Sequence, residues 1–132
     1  MNREDVRILM VDDDPLTNAL KLCGYTQLKI SCDGLNIPEI IREYMPHLIL
    51  LDTDLEREYT GYDVYREIEQ TGLRANRVVL GISSDHTREQ GWLDIGANGF
   101  LLKRILVSDE VGREIQSVLE KCAVIDGGKQ NE

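Results

Sequence analysis

Short, almost wholly apolar runs recur along the chain and alternate with segments that have the apolar spacing of helices. Four runs are pronounced, at residues 7–11, 48–51, 78–82 and 100–102, and a weaker one covers 28–31. Apolar runs of this length favour strands buried on both faces, and strands that alternate with helices are typical of a parallel sheet covered by helices. The pattern therefore predicts an α/β fold with five strand–helix pairs.

Turn signals and apolar spacing predict where the helices lie. Asp14 is expected to cap the first helix, with Pro15 as its first residue and Gly24 at its end. The second helix follows from an apolar stripe at i, i+3, i+4 and i+7, formed by Ile37, Ile40, Ile41 and Tyr44. The third helix is expected to end at Gly72, with Val64, Tyr65 and Ile68 facing inward. The fourth is expected to run from about Thr87 to Ile95 and the fifth from about Ser108 to Lys121.

The size and charge of the chain narrow the class of protein. Its 132 residues, 42% of them hydrophobic, suffice for one core, so residues 1–122 are predicted to form one domain and residues 123–132 a polar tail or truncated linker. The formal net charge of -9 repels phosphate backbones and anionic membranes, which argues against direct nucleic-acid binding. The charged residues 56–58 are expected to lie in a solvated loop.

Cysteine usage and hydropathy indicate the compartment. The three cysteines are odd in number and show no C-x-x-C spacing, which favours reduced thiols. No signal-like segment opens the chain, and no apolar run approaches the roughly 18 residues needed to cross a bilayer. A cytoplasmic protein that is neither exported nor membrane-embedded is therefore expected.

Chemically useful side chains stand where the strands end. Asp12 and Asp13 follow the first apolar run, Asp52 the third, Ser83 the fourth and Lys103 the fifth. Because ligands bind an open parallel sheet at the carboxyl ends of its strands, we expect these groups to converge. Three carboxylates in one crevice repel each other unless a cation neutralises them, and oxygen ligands suit a hard ion such as Mg2+. Asp14, by contrast, is interpreted as a helix cap.

The order of these motifs resembles the receiver domain of bacterial two-component response regulators. An acidic pair follows the first strand, a lone aspartate ends the third, a hydroxyl follows the fourth and a lysine follows the fifth. The resemblance covers about residues 4–121. It implies a flavodoxin-like, doubly wound five-stranded parallel sheet with strand order 2-1-3-4-5 and helices on both faces.

The resemblance also implies a phosphorylation site. In that family the aspartate of the third strand accepts a phosphoryl group from a histidine kinase, so the phosphoacceptor role carries over to Asp52. Mg2+ binding carries over to Asp12, Asp13, Asp52 and the backbone carbonyl of Asp54. On this account the chain is not an enzyme beyond Mg-dependent phosphorylation and dephosphorylation of itself.

Three further roles carry over from the same resemblance. Ser83 matches the switch hydroxyl, Lys103 the lysine that pairs with the phosphoryl group, and Phe100 the aromatic residue whose rotamer reports activation. Arg104 departs from the family pattern, because a proline usually follows the lysine, typically through a cis peptide. Since a cis bond without proline costs about 2.5–4 kcal/mol, the bond between Lys103 and Arg104 is expected to be trans.

The partners are implied in the same way. The resemblance implies a histidine kinase or phosphotransfer protein as the phosphoryl source. It implies a downstream protein that binds the face formed by the fourth helix, the fifth strand and the fifth helix, and it leaves a homodimer open. No direct contact with nucleic acid or with a membrane is expected.

The sequence Asp52-Thr53-Asp54 leaves a second function open. It also looks like the D-x-D signature of haloacid-dehalogenase-type phosphatases, in which the first aspartate is the nucleophile and the second the general acid and base. That signature usually ends the first strand of a larger chain, whereas here it ends the third strand of a small one. A further hypothesis keeps the receiver fold and lets Asp54 and Asp85 set the lifetime of the phosphoryl group.

Two other interpretations involve binding without phosphorylation. A pseudo-receiver would keep the fold and act as a phosphorylation-independent protein-binding module, because Arg104 replaces the usual proline and the loop after Asp52 lacks the proline usual in that family and runs about one residue longer. A flavin-binding relative of flavodoxin is disfavoured, since no Ser/Thr/Gly-rich phosphate loop follows the first strand. Phosphorylation by a small donor separates the main hypothesis from the pseudo-receiver.

Overall fold

The computed structural model describes residues 1–55 and 58–122, which contain a five-stranded parallel sheet. The strand order is β2-β1-β3-β4-β5, as predicted. The predicted polar tail, residues 123–132, and the first two residues of the charged run at 56–58 lie outside the described residues. The strands are β1 (Arg7–Val11), β2 (Gln27–Ser31), β3 (Leu48–Asp52), β4 (Val78–Ser83) and β5 (Gly99–Leu102).

Five α-helices connect and follow the strands on the two faces of this sheet. Every residue of β3 and β4 is buried, as expected for central strands covered on both sides. None of the helices within residues 1–55 and 58–122 is long and apolar enough to cross a membrane. The helices are α1 (Asn18–Leu22), α2 (Ile37–Tyr44), α3 (Gly61–Gln70), α4 (Glu89–Ile95) and α5 (Val111–Cys122).

Two hydrophobic clusters divide the core between the faces of the sheet. One joins alternate residues of the central strands, such as Leu50 and Leu80, to Leu20 of α1 and Ile115 of α5. The other joins the intervening strand residues to α2, α3 and α4, and it includes Trp92. Because successive strand residues point to opposite faces, this division follows directly from the apolar runs in the sequence. It confirms the predicted doubly wound arrangement.

The register of the sheet brings the functional strand ends to one edge. Val11 pairs with Leu51, Asp52 with Ile82 and Ser83 with Leu102. The residues that follow β1, β3 and β5 therefore leave the sheet at nearly the same level. This alignment is what places Asp12, Asp52 and Lys103 near one another.

The first helix begins later than predicted. It starts at Asn18, so Asp14 is not its N-cap and Pro15 is not its first residue. Instead the Asp14 amide donates to Asp12 Oδ1 at 2.9 Å, which ties the chain into a turn before the helix. Gly24, with φ 103°, follows the helix end as expected.

The fourth and fifth helices also begin later than predicted, at Glu89 and Val111, and a short 3-10 turn precedes each of them. Only the turn before α4 covers the predicted start of its helix. The turns are His86–Arg88, before α4, and Lys103–Val107, before α5. Asp85 caps the first by accepting a hydrogen bond from the Thr87 amide. Sequence spacing alone does not separate such a turn from the helix that it precedes.

Candidate functional site

Three carboxylates converge at the carboxyl end of the sheet. Asp12 follows β1 and is fully buried, while Asp52 ends β3 and is 4% exposed. Asp13 is partly exposed at the rim. One carboxylate oxygen from each of the three lies within 4.8 Å of the others. The strand ends thus bring together the acidic groups that the sequence predicted to meet.

Lys103 supplies a positive charge within this cluster. Its Nζ lies 3.2 Å from Asp12 Oδ1 and 3.3 Å from Asp52 Oδ2. The residue stands directly after β5, and all peptide bonds of the described residues are trans, including the one to Arg104. Lys103 therefore reaches both aspartates without the cis bond that is usual in the family.

The electrostatic balance of the pocket is negative. Burial, reinforced by the nearby charge of Asp12, raises the pKa of Asp52 to about 7, although Lys103 opposes this shift. Burial alone would lower the pKa of Lys103, but the charges of Asp12 and Asp52 more than offset it and raise that pKa. One lysine thus fails to neutralise the two buried carboxylates.

The pattern of unused hydrogen-bonding atoms fits a metal ion here. Asp12 Oδ1 accepts from Lys103 and from the Asp14 amide, but Asp12 Oδ2 is buried and has no hydrogen-bond partner within the described residues. An unpartnered buried carboxylate oxygen is costly unless something positive contacts it. Together with the oxygens of Asp13 and Asp52 it forms a donor set suited to a hard divalent cation such as Mg2+.

Ser83 and Phe100 lie on the neighbouring strands. Ser83 ends β4 and is buried, and its hydroxyl accepts a hydrogen bond from the Asp85 amide at 3.0 Å. Phe100, on β5, pairs in register with Gly81 and packs, partly buried, against the cluster that contains Trp92. Ser83 therefore lies at the carboxyl end of β4, and Phe100 lies on the adjacent strand.

Asp54, after β3, and Asp85, after β4, approach the same cation, Arg88. Arg88 approaches Asp54 Oδ1 at 3.6 Å and Asp85 Oδ2 at 3.9 Å. All three side chains are at least 44% exposed, so these ion pairs are weak. Hydrogen bonds from Thr87 lower the pKa of Asp85. Sequence analysis linked the two aspartates but missed Arg88, whose position follows from the 3-10 turn.

Thr53 and Trp92 form a buried contact that sequence analysis did not predict. The Trp92 indole Nε1 donates to Thr53 Oγ1 at 2.7 Å, and both residues are almost completely buried. Trp92 lies on α4, and the structure places its side chain in the core. The glycine at position 81, directly beneath the ring, was the available signal, because an apolar strand seldom contains glycine without a steric reason.

The chain belongs to the response regulator receiver domain family. The model of that family matches residues 8–113, which include the acidic pair, Asp52, Ser83 and Lys103. This agrees with the fold and with the order of groups at the strand ends. It makes the chain a two-component signalling module.

Curated relatives and solved structures agree with this family. The response regulator MprA of Mycobacterium ulcerans (strain Agy99) is 29% identical over 126 residues, and that of Mycobacterium leprae (strain TN) is 27% identical over 129 residues. These alignments cover 92% and 94% of the chain but only 53% and 55% of the relatives. The chain therefore spans about half the length of the curated relatives it matches.

Two solved structures support the fold. Chemotaxis response regulator CheY4 of Vibrio cholerae superposes with a TM-score of 0.69 at 19% identity, covering 86% of the chain and 98% of that structure. A signal receiver domain of a DNA-binding response regulator from Colwellia psychrerythraea 34H gives a TM-score of 0.71 at 21% identity, covering 88% and 99%. At these identities the likeness concerns the fold alone.

Proposed function

We propose that the chain is a phosphoacceptor receiver domain in which Asp52 is phosphorylated with the help of Mg2+. The observation that carries this proposal is the cluster of Asp12, Asp13 and Asp52 around Lys103 at the carboxyl end of the sheet. Family membership gives the class of chemistry, and the cluster supplies the nucleophile and the charges. Asp52 is the acceptor because it ends the central strand β3, between the buried acidic partner and the lysine.

The transfer requires mainly positioning and charge neutralisation. A carboxylate oxygen of Asp52 forms a bond to phosphorus, while the bond from phosphorus to the donor's leaving atom breaks and that atom keeps the electron pair. Asp12, Asp13, Asp52 and the backbone carbonyl of Asp54 would hold Mg2+, which would supply positive charge to the phosphoryl oxygens. Lys103 is already directed at Asp52 and would pair with a phosphoryl oxygen.

Ser83 and Phe100 are the proposed switch residues. The aspartyl phosphate adds acceptor oxygens beside β4, so the Ser83 hydroxyl can donate to one of them instead of accepting only from the Asp85 amide. This movement would draw the segment after β4 inward. Phe100 could then turn toward the space that Ser83 and its neighbours leave.

The proposed partners are a histidine kinase or phosphotransfer protein as donor and a downstream protein on the face of α4, β5 and α5. A cavity of about 200 Å³ lies on this face, and its lining combines the apolar residues Phe100 and Ile105 with the acidic residues Glu89 and Glu114 and with His86. That lining fits a partner with apolar and basic side chains. The proposed setting is the cytoplasm, consistent with the unpaired thiols of Cys23, Cys32 and Cys122.

Intact-mass spectrometry after incubation with acetyl phosphate and Mg2+ tests the proposed function. The parent is expected to gain one phosphoryl group, and an Asp52→Asn variant none. An adduct that also forms on the Asn variant would show that a residue other than Asp52 is the acceptor. No adduct on either protein would contradict the proposal and favour a pseudo-receiver that binds partners without phosphorylation.

The phosphatase interpretation of the Asp52-Thr53-Asp54 sequence has less support. The Asp54 side chain is 61% exposed and pairs with Arg88, and the family match is to receivers. A general acid needs to reach the leaving group in a confined site. We therefore keep only the narrower proposal that Asp54, with Asp85, sets the phosphate lifetime.

An Asp54→Asn variant is expected to change the half-life of the aspartyl phosphate by about threefold to tenfold. Loss of its charge removes repulsion from phosphoryl oxygens and frees Arg88, which now lies 3.6 Å from Asp54. The decay of the adduct after removal of acetyl phosphate, followed by intact mass, measures this. Glu58→Gln, an exposed change in the same loop, is the matched control. Equal half-lives for the parent and Asp54→Asn would remove the role of Asp54.

Millimolar Mg2+ is expected to raise the melting temperature of the parent by several degrees. A ligand that binds only the native state at 100 times its Kd adds about 2.7 kcal/mol to the free energy of unfolding. Thermal unfolding with Mg2+, compared with Na+ at equal ionic strength, measures the effect. Asp13→Asn is expected to reduce the shift at a given concentration, and an undiminished shift in that variant would place the ion outside this cluster.

A further inference from the structure

Trp92 connects helix α4 to the peptide beside the acceptor. It is the only tryptophan in the chain, and its side chain is completely buried. The residue lies on α4, yet its indole covers the strand β4 and reaches the backbone that follows β3. The steps of the proposed phosphorylation do not themselves involve Trp92.

Glycines on two other elements make room for this ring. A Cβ at Gly81 of β4 would lie 2.3 Å from three indole atoms. A Cβ at Gly61, the first residue of α3, would clash first with the backbone carbonyl of Asp52 and would also lie 3.1 Å from indole Cζ2. Tyr62 packs against the ring at 4.7 Å between centroids, and Tyr65 meets it edge-on at 6.2 Å. The indole is therefore held on several sides, and its position is set by α3 and β4 as well as by α4.

Hydrogen bonds connect Thr53 to β4, α3 and α4. The Thr53 hydroxyl accepts from Trp92 Nε1 at 2.7 Å and donates to the Ile82 carbonyl at 2.8 Å. The Thr53 amide donates to the same Ile82 carbonyl at 2.9 Å, and the Thr53 carbonyl accepts from the Gly61 amide at 2.9 Å. All the polar groups of Thr53 are thus used, in a site with almost no solvent exposure.

We propose that Trp92 is a positioning residue whose bond to Thr53 couples helix α4 to the phosphorylation of Asp52. This inference rests on the proposed function. Thr53 lies between the acceptor, Asp52, and Asp54, whose carbonyl is the proposed metal ligand. A shift of either neighbour on phosphorylation moves the Thr53 hydroxyl. That movement alters the hydrogen bond to the indole, the environment of the ring and the packing of α4.

The Ile82 carbonyl gives the same connection a second input. Ile82 directly precedes Ser83, the proposed switch hydroxyl, so an inward movement of Ser83 displaces the group to which Thr53 donates twice. The coupling runs through Thr53 and Trp92 to α4. It differs from the route through Phe100, which lies on β5 and packs against the same core cluster through apolar contacts.

The experiment compares the parent with Thr53→Val and Thr53→Ser. Valine keeps the shape of threonine and removes the hydroxyl, whereas serine keeps the hydroxyl. Acetyl phosphate and Mg2+ are added, and the phosphoryl adduct by intact mass and the emission of Trp92 are followed in the same samples. The parent and Thr53→Ser are expected to shift their emission in step with the adduct. Thr53→Val is expected to lose that shift although it still forms the adduct.

A second variant covers the case in which Thr53→Val does not fold. Trp92→Phe keeps an aromatic ring and removes the N–H donor, and hydrogen exchange of the amides of residues 89–95 reports on α4. Exchange in α4 is expected to be roughly tenfold faster than in the parent, the factor for one lost hydrogen bond, and to respond less to phosphorylation.

Three results would overturn the inference. The first is an adduct on the parent without any change in Trp92 emission, and the second is an equal change in Thr53→Val. The third is α4 exchange in Trp92→Phe that responds to phosphorylation as it does in the parent. In each of these cases the adduct forms and the proposed function stands. If no adduct forms on the parent, the proposed function fails and this inference falls with it.

Discussion

An Asp52→Asn variant is expected to unfold at a temperature about 5 to 10 °C above that of the parent in metal-free buffer at pH 8. Asp52 is almost fully buried beside Asp12, and its pKa is raised from 3.8 to about 7. A displacement of this size corresponds to about 4 kcal/mol of lost stability once the carboxylate is charged, of which a buried asparagine recovers a part. An asparagine removes the charge, and its amide can donate to Asp12.

The stability advantage of Asp52→Asn over the parent is expected to increase with pH. Below about pH 4 Asp52 is protonated in both the folded and the unfolded parent, so the variant has no advantage there. Between pH 4 and 7 the folded state keeps a proton that the unfolded state has lost, and the parent's stability falls as the pH rises. The advantage of the variant should therefore grow through this range and become constant above pH 7.

Thermal unfolding from pH 4 to 9 in the presence of a chelator measures this difference. Asp94→Asn, which changes an exposed carboxylate on α4, is the control and should leave the pH profile unchanged. An Asp52→Asn variant no more stable than the parent at pH 8 would contradict the electrostatic account of the pocket. An advantage of equal size at pH 4 and pH 8 would show that packing, and not charge, is responsible.

A Gly81→Ala variant is expected to lose about 2 to 4 kcal/mol of unfolding free energy, near the upper range for overpacked cores. The added Cβ would lie 2.3 Å from three atoms of the Trp92 indole, a rigid ring held by Tyr62 and Tyr65. The ring has no rotamer freedom with which to avoid the methyl group, so α4 must move away from β4. Equilibrium denaturation in urea measures the loss.

Gly99→Ala is the matched control for this change. It adds the same methyl group on the adjacent strand, where the nearest atom is the end of a flexible leucine, Leu80 Cδ2, at 3.1 Å. A loss well below that of Gly81→Ala is expected. The double variant Gly81→Ala with Trp92→Leu should be more stable than the sum of the two single losses predicts, because leucine leaves space for the methyl group. Strict additivity would contradict a direct clash.

The sheet and most of the pocket were predictable because they depend on short-range patterns. The apolar runs specify buried strands, alternation specifies parallel pairing, and parallel pairing brings Asp12, Asp52 and Lys103 to one edge. The lysine reaches its partners although Arg104 replaces the usual proline, because the 3-10 turn after β5 begins at Lys103 itself. These features follow from the order of the residues along the chain.

The errors concern features that depend on contacts between distant segments. Asp14 and Pro15 form a reasonable cap by local rules, but the Asp12 carboxylate takes the Asp14 amide and the helix begins three residues after Pro15. Trp92 and Thr53 are 39 positions apart, and no periodicity links them. The glycine at position 81 signals that something approaches β4 closely, but the sequence does not say that the indole of Trp92 is what covers it.

The short first helix has an energetic consequence for ligand binding. Helix α1 has 5 residues, well below the roughly 12–15 at which an isolated helix becomes stable, and its Leu22 is 89% exposed. Such an element opens at a small free-energy cost compared with global unfolding, and it is joined to the proposed metal site by the segment that carries Asp13. Occupation of that site by an ion would have to order this segment, so part of the intrinsic affinity would be consumed as conformational entropy, and the length of α1 would help to determine how tightly the domain could hold an ion.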